Sequence, residues 1–203
     1  ELRGDQLAVL RKLDGAHRAD HIGTEDDVQG TIRLYPEAFI ASSVVVCEGA
    51  SEVGLIRGLD LYREAHGQLS LNVHGVSLVD AKGVTNIYGR AKPFARLGYR
   101  VAVLRDDDRQ PDAADEAAFE AAGRPAFRWR AGLALEDELF ISLPDAAIHA
   151  LLEKAVASYD EALIDAHLRS ASQQALGLAD CRGPVTAATR AAMAAASKSK
   201  SNA

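Results

Sequence analysis

Val44-Val45-Val46-Cys47-Glu48-Gly49-Ala50-Ser51-Glu52 is the stretch that decides the fold. Val44 to Cys47 is a short apolar, mostly β-branched run, which suits a strand covered on both faces. The glycine after Glu48 permits a tight turn into Leu55-Ile56-Arg57-Gly58-Leu59, which has helical spacing. Glu48 is thereby predicted at the carboxyl end of the strand and Glu52 in the first helical turn beyond it. Sites in open parallel sheets lie outside the carboxyl ends of the strands, so two acids delivered there by one turn are a candidate metal or acid/base pair.

Working outward, strands and helices alternate in the pattern that builds parallel sheets. Ser51 to His66 reads as a helix, Leu69 to Val79 as a second strand ending in Asp80, and Thr85 to Leu97 as a second helix. Tyr99 to Leu104 reads as a third strand, Asp112 to Gly123 as an alanine-rich helix, and Pro125 to Arg130 as a short fourth strand. Leu135 to Phe140 begins a further helix. The expectation is an α/β fold, a parallel sheet flanked by helices in three layers. Upstream, Leu7, Val9, Leu10 and Leu13 suggest a short amphipathic helix, and Gly15 to Gly30 reads as helix ends and loop, with Thr24 to Asp27 as a capping or solvated acidic turn. After Pro144 the strand signals stop: Ala146 to Tyr159, Asp160 to Leu178 and Pro184 to Ala196 carry helical spacing. Three segments follow: 1–38 helical and connecting, 39–145 the α/β domain, and 146–203 an appended α-helical subdomain with a disordered Ala/Ser/Lys tail.

Composition narrows the function classes. The chain has 203 residues, 48% of them hydrophobic, and lacks an apolar run long enough to span a bilayer, so a core is affordable and no membrane partner is expected. Two cysteines, Cys47 and Cys181, make neither a disulfide framework nor a zinc site, which favours a cytoplasmic location. No phosphate-binding loop of the Walker type occurs. The chain opens at Glu1 without an initiator methionine or secretory signal and reads as a piece of a longer protein. A formal net charge of -6 argues against a uniformly basic nucleic-acid surface. A local rim of Lys82, Arg90, Lys92, Arg96, Arg100, Arg105, Arg109, Arg124, Arg128 and Arg130 could still meet a phosphate backbone.

Acids punctuate the predicted strand ends: Glu48 the first, Asp80 the second, Asp106-Asp107-Asp108 the third, with Glu136 opening the helix after the fourth. In an extended strand Asp106 and Asp108 share a face and Asp107 points away. Crowded carboxylates repel, and a hard divalent cation, Mg²⁺ or Mn²⁺, offsets the repulsion. Each acid alone also reads as a solvated turn residue, Asp80 as a structural one, and Glu136 to Glu138 as a complement to a helix dipole. His66 near a helix end and His74 in a strand read as packing or surface residues, and Cys47 as a small buried hydrophobe.

Arg33 to Phe39, Val46 to Leu55, Gly75 to Asn86 and Leu133 to Leu139, with Glu-Gly-x-x-Glu preceding Asp-x-Asp, resemble the Toprim domain of OLD-family (overcoming lysogenization defect) endonucleases, and specifically their C-terminal nuclease half, class 2-like. The resemblance spans roughly 33–143. It implies a two-metal DNA endonuclease with Mg²⁺ or Mn²⁺, in which Glu48 and Asp106 are catalytic and Glu48, Glu52, Asp106, Asp108 and Glu136 hold the cations. It also implies an N-terminal ATPase domain, which nothing in this sequence matches, and a homodimeric full-length protein. The functional lysine that the family places late, beside aromatic residues, has only Lys198 and Lys200 as counterparts, without aromatic neighbours. Two other classes fit acids at strand ends: an Asp-nucleophile phosphotransfer enzyme using Asp106, and a non-catalytic Toprim-like module that only binds nucleic acid.

Overall fold

Strand β3 (Ser43–Cys47) lies inside a four-stranded sheet of order β4-β3-β5-β6, with β4 Val76–Asp80, β5 Arg100–Arg105 and β6 Ala126–Arg128, every pairing parallel. The computed structural model describes residues 7–13 and 15–198; the predicted disordered tail beyond 198, with Lys200, lies outside the described residues. The register sets Cys47 beside both Asp80 and Leu104, so the carboxyl ends of the three strands stop level with one another. Two further bonds extend the ladder past β3: Glu48 N–H donates to the Leu104 carbonyl at 2.8 Å, and Ala81 N–H to that of Cys47 at 2.8 Å.

One face of the sheet is the core. Val44, Val46, Val79, Val101 and Val103 alternate along their strands and pack with Val28 and Ile32 of α1 (Asp26–Leu34) and Ile87, Ala91 and Phe94 of α3 (Ile87–Arg96). Phe39, Phe94 and Tyr99 stack at ring separations of 4.8 to 6.4 Å, and the Tyr99 hydroxyl donates to the Phe39 carbonyl at 2.5 Å. Val45, Leu78, Ala102 and Leu104, on the opposite face, are only half-buried, so the apolar run at β3 is not sealed equally on both sides. Helix α2 (Ala50–Ala65) buries only Glu52 and Val53. Helix α4 (Ala113–Ala121) starts from Asp112, whose carboxylate accepts from the backbone of Ala114 and Asp115, and it buries Phe119 against Tyr88.

The N-terminal expectation is overturned. Leu7 to Leu13 is not helical: β1 (Ala8–Leu13) pairs antiparallel with β2 (Ala16–His21). The apolar pattern there has period two, since Leu7 and Val9 lean on the core while Leu10 is 78% exposed. Gly30, read as loop, lies within α1. The second strand is shorter than predicted, because residues 71–75 form turns and β4 begins at Val76; His74 is an exposed turn residue. Val84–Asn86 is a single 3-10 turn before α3.

Two compact units result, Glu1–Arg128 and Trp129–Ala203. The second is built of α5 (Leu135–Ser142), α6 (Asp145–Ser158), α7 (Glu161–Ala171), α8 (Leu178–Cys181) and α9 (Ala187–Ser197) around Ile148, Leu152, Leu168, Leu178, Cys181 and Met193. Arg190 ties the α5–α6 corner, donating to the carbonyls of Phe140 and Leu143 and pairing with Asp145 at 2.5 Å. The helix predicted from Asp160 to Leu178 instead ends at Ala171, because Gln173 and Gln174 adopt φ of 53° and 68° and turn the chain into α8. Among the described residues no helix is long and apolar enough to cross a membrane.

Candidate metal centre

Four of the five acids marked in the sequence belong to the first unit, at the carboxyl ends of β3 and β5. Glu48 follows β3 directly. The backbone N–H of Asp106, the residue after β5, donates to Glu48 Oε2 at 3.1 Å, which fixes the Glu48 carboxylate against the neighbouring strand end. Gly49 is the N-cap of α2 in an extended conformation open to any residue (φ −149°), so a left-handed turn is not why glycine stands there. Its N–H donates to Glu52 Oε2 at 2.8 Å, and this reach of the third helical residue back to the cap draws Glu52 inward, leaving it 3% exposed.

Burial and crowding act together on these carboxyls. Burial raises the Glu48 pKa above the ordinary carboxylate value, and the charges of Asp106 and Asp108 push it the same way. Burial, then the charges of Asp106 and Glu48, lift Glu52 to about 7. Glu48 thus lies within electrostatic reach of Asp106 and Asp108, and Glu52 within reach of Asp106 and Glu48. Among the described residues, however, no group of three or more His, Cys, Asp or Glu side chains is gathered in a position to hold a metal ion. As a donor set the four fit a hard divalent cation: all are carboxylates, and a cation would relieve the repulsion that raises two of them.

Strand alternation does not sort the three aspartates, because β5 ends at Arg105. Arg105 does the sorting instead. Its side chain is wholly buried and donates to the Asp106 carbonyl at 2.6 Å, to Asp107 Oδ1 at 3.2 Å, to Gln110 Oε1 at 3.2 Å and to Glu116 Oε1 at 3.0 Å. Glu116 also accepts from the Tyr88 hydroxyl at 2.8 Å, and its carboxyl is lowered despite burial because Tyr88 and Arg105 donate to it. Asp107 is therefore drawn toward Arg105. The residue that organises this loop is one the sequence groups with the outer cationic rim; its place inside is readable in Val101-Ala102-Val103-Leu104-Arg105, where period two sets Arg105 on the same buried face as Val101 and Val103.

The rest of the rim is largely committed to acids. Lys82 pairs with Asp80, Lys92 with Asp115, Arg96 with Glu25, Arg128 with Glu116 and Glu120, and Arg130 with Glu138, whose carboxyl falls to about 2 under the hydrogen bond from Arg130. Arg109, one residue past Asp108, is exposed and has no such pair among the described residues. Asp80 clamps its own loop: it accepts from Lys82 N–H at 2.8 Å, with Lys82 at φ 63°, and the next N–H, of Gly83, donates to the Glu48 carbonyl at 2.8 Å. Cys47 is buried without exposure, and burial pushes its thiol to about 12, as suits a packing residue and not a nucleophile.

Glu136, the fifth acid, lies in the first turn of α5 in the second unit. Its neighbour Asp137 accepts from the cap residue Ala134 at 3.0 Å and also from the Lys198 ammonium, so the described late lysine ends beside this helix start. No curated protein sequence and no solved structure matches the chain. Residues 39–108, which hold Glu48, Glu52, Asp106 and Asp108 but stop short of Glu136, match the family model described as the overcoming lysogenization defect protein-like TOPRIM domain, and this supports a Toprim domain of the OLD type in that segment.

Proposed function

We propose that this chain is a divalent-metal-dependent DNA endonuclease, the C-terminal, class 2-like nuclease half of an OLD-family ATPase-nuclease. The supporting observation is the crowding of Glu48, Glu52, Asp106 and Asp108 at the carboxyl ends of β3 and β5, inside the segment that matches the Toprim model. Bound Mg²⁺ or Mn²⁺ would supply charge stabilisation to the attacking and leaving oxygens of an in-line phosphodiester displacement. Glu48 and Asp106 would hold the catalytic position, with Glu52 and Asp108 completing the ligand set; Glu136 joins it on the resemblance alone. A carboxyl raised by burial, as Glu48 is, has more affinity for a proton than an exposed one and suits removal of a proton from the attacking water. Lys198, which pairs with Asp137 at the start of α5, is the candidate for the late lysine of the family. The functional segments proposed are 1–38, 39–145 and 146–203, the proposed partner is an ATPase domain, the proposed full-length assembly is a homodimer, and the proposed location is cytoplasmic.

A second reading, a Toprim-like module that binds nucleic acid without cutting it, is favoured by the lack of three acids already gathered for a metal among the described residues. Cleavage of supercoiled plasmid in EDTA, Mg²⁺ or Mn²⁺ separates the two. The nuclease reading expects nicked or linear product that needs the cation and vanishes in Glu48→Ala and Asp106→Ala. DNA binding that is independent of cation, with no strand scission, establishes the second reading.

A further inference from the structure

Helix α2 presents to solvent a face that is left uncovered among the described residues. At about 100° per residue, Ser51, Gly54, Gly58, Leu61, Tyr62 and Ala65 fall on the side of the helix opposite Glu52 and Val53, and all six are exposed. Leu61 is 67% exposed and Tyr62 63%. No charge interrupts this face. The Tyr62 ring is also held in place, stacked on His66 at 4.0 Å, so an exposed aromatic anchor has already lost much of its rotamer freedom. Between the anchors and the start of the helix the surface is low: a Cβ added at Gly54 or Gly58 would meet nothing within 4 Å. Glycine weakens a helix interior relative to alanine, and nothing among the described residues approaches closely enough to require it at either place.

The charges at the edge say what fits. Arg57 and Glu64 are seven positions apart, hence on one flank of the helix, both exposed and without an ion pair among the described residues. A two-fold axis that brings two copies of α2 together antiparallel, centred between residues 60 and 61, keeps each flank on its own side. It therefore sets Arg57 of each copy beside Glu64 of the other, Tyr62 of each next to Gly58 of the other, and the two Leu61 side chains close to the axis. Such an isologous contact is self-complementary in both shape and charge.

We propose that the exposed face of α2 is a homodimer contact, two copies crossing antiparallel at the level of residues 60 and 61, with Gly58 inside the contact and reciprocal Arg57–Glu64 pairs. It is independent of whether the chain cuts DNA. The test is sedimentation equilibrium on the 203-residue chain and its variants. The wild type is expected to dimerise, and Arg57→Glu and Glu64→Arg each to weaken the dimer by about tenfold or more, since each sets two like-charge pairs into one interface. Mixing the two variants in equal amounts is expected to restore dimer, because every pair is then complementary again. Gly58→Leu is expected to dissociate the dimer while the melting temperature holds or rises, as its side chain enters open space in the monomer. A wild type that stays monomeric at about 100 μM overturns the proposal, for such an interface would then be weaker than any specific contact of use. So does a dimer indifferent to these substitutions, or a mixture that fails to reassociate.

Discussion

At the residue scale the chemistry of the site depends on where protons and buried charges sit. Glu52 binds its proton more tightly folded than unfolded, since its value moves from 4.5 to about 7. The folded state therefore holds more protons across that window, and stability falls as pH rises through it. In EDTA the loss by pH 8 should be about 3 kcal/mol relative to pH 4, from a shift of that size. Glu52→Gln should remove this component, so urea denaturation of both proteins at several pH values should give a wild-type slope that the variant lacks; parallel curves would contradict the assignment. Arg105 carries the opposite kind of risk. Arg105→Met leaves Asp107 without its cation and Glu116 with only the longer contact from Arg128, and breaking a buried charge network from one side costs about 3–5 kcal/mol. Urea midpoints for Arg105→Met and Arg105→Lys report it, with lysine, which cannot reproduce the forked contacts, recovering only part. The acids were legible as single letters at strand ends. Arg105 was not, because a charge count ranks every arginine with the surface, whereas the alternation of its own strand puts it inside.

At the scale of elements, what the sequence showed and hid follows from local versus tertiary control. The strand at Val44 to Cys47, the helices after Glu48 and Asp112, and the strand at Tyr99 to Leu104 have patterns strong enough to be placed within a residue or two. The hairpin β1–β2 is different: Leu7, Val9 and Leu10 fit a helical spacing as well as a period of two, and contact of Leu7 and Val9 with the main core decides between them. The second strand is shorter than its apolar letters suggest, because Leu69 and Val73 lie outside it, 59% and 66% exposed. Helix α4 offers a direct test of local control. Asp112→Ala removes two bonds to the first turn and should cost about 1 kcal/mol, read as a lower urea midpoint with an unchanged denaturant slope.

At the scale of the molecule, the topology brings acids from residues 48 to 108 to one sheet edge without any local signal that they meet. A parallel sheet with level strand ends does this, and the alternation of elements announced it. Which cations would be free to meet a polyanion was beyond the sequence, since partners such as Glu25 for Arg96 lie 71 residues away. Arg109 remains beside the acids, within a chain of net charge -6. The central claim, a divalent-cation site at Glu48 and Asp106, is tested most directly by titrating the chain with Mn²⁺ and following free Mn²⁺ by electron paramagnetic resonance, for the wild type, Glu48→Gln and Asp106→Asn. The account predicts saturable binding by the wild type that weakens more than about tenfold in both variants, as loss of an oxygen ligand should. Absence of saturable binding, or equal binding by all three proteins, would contradict it.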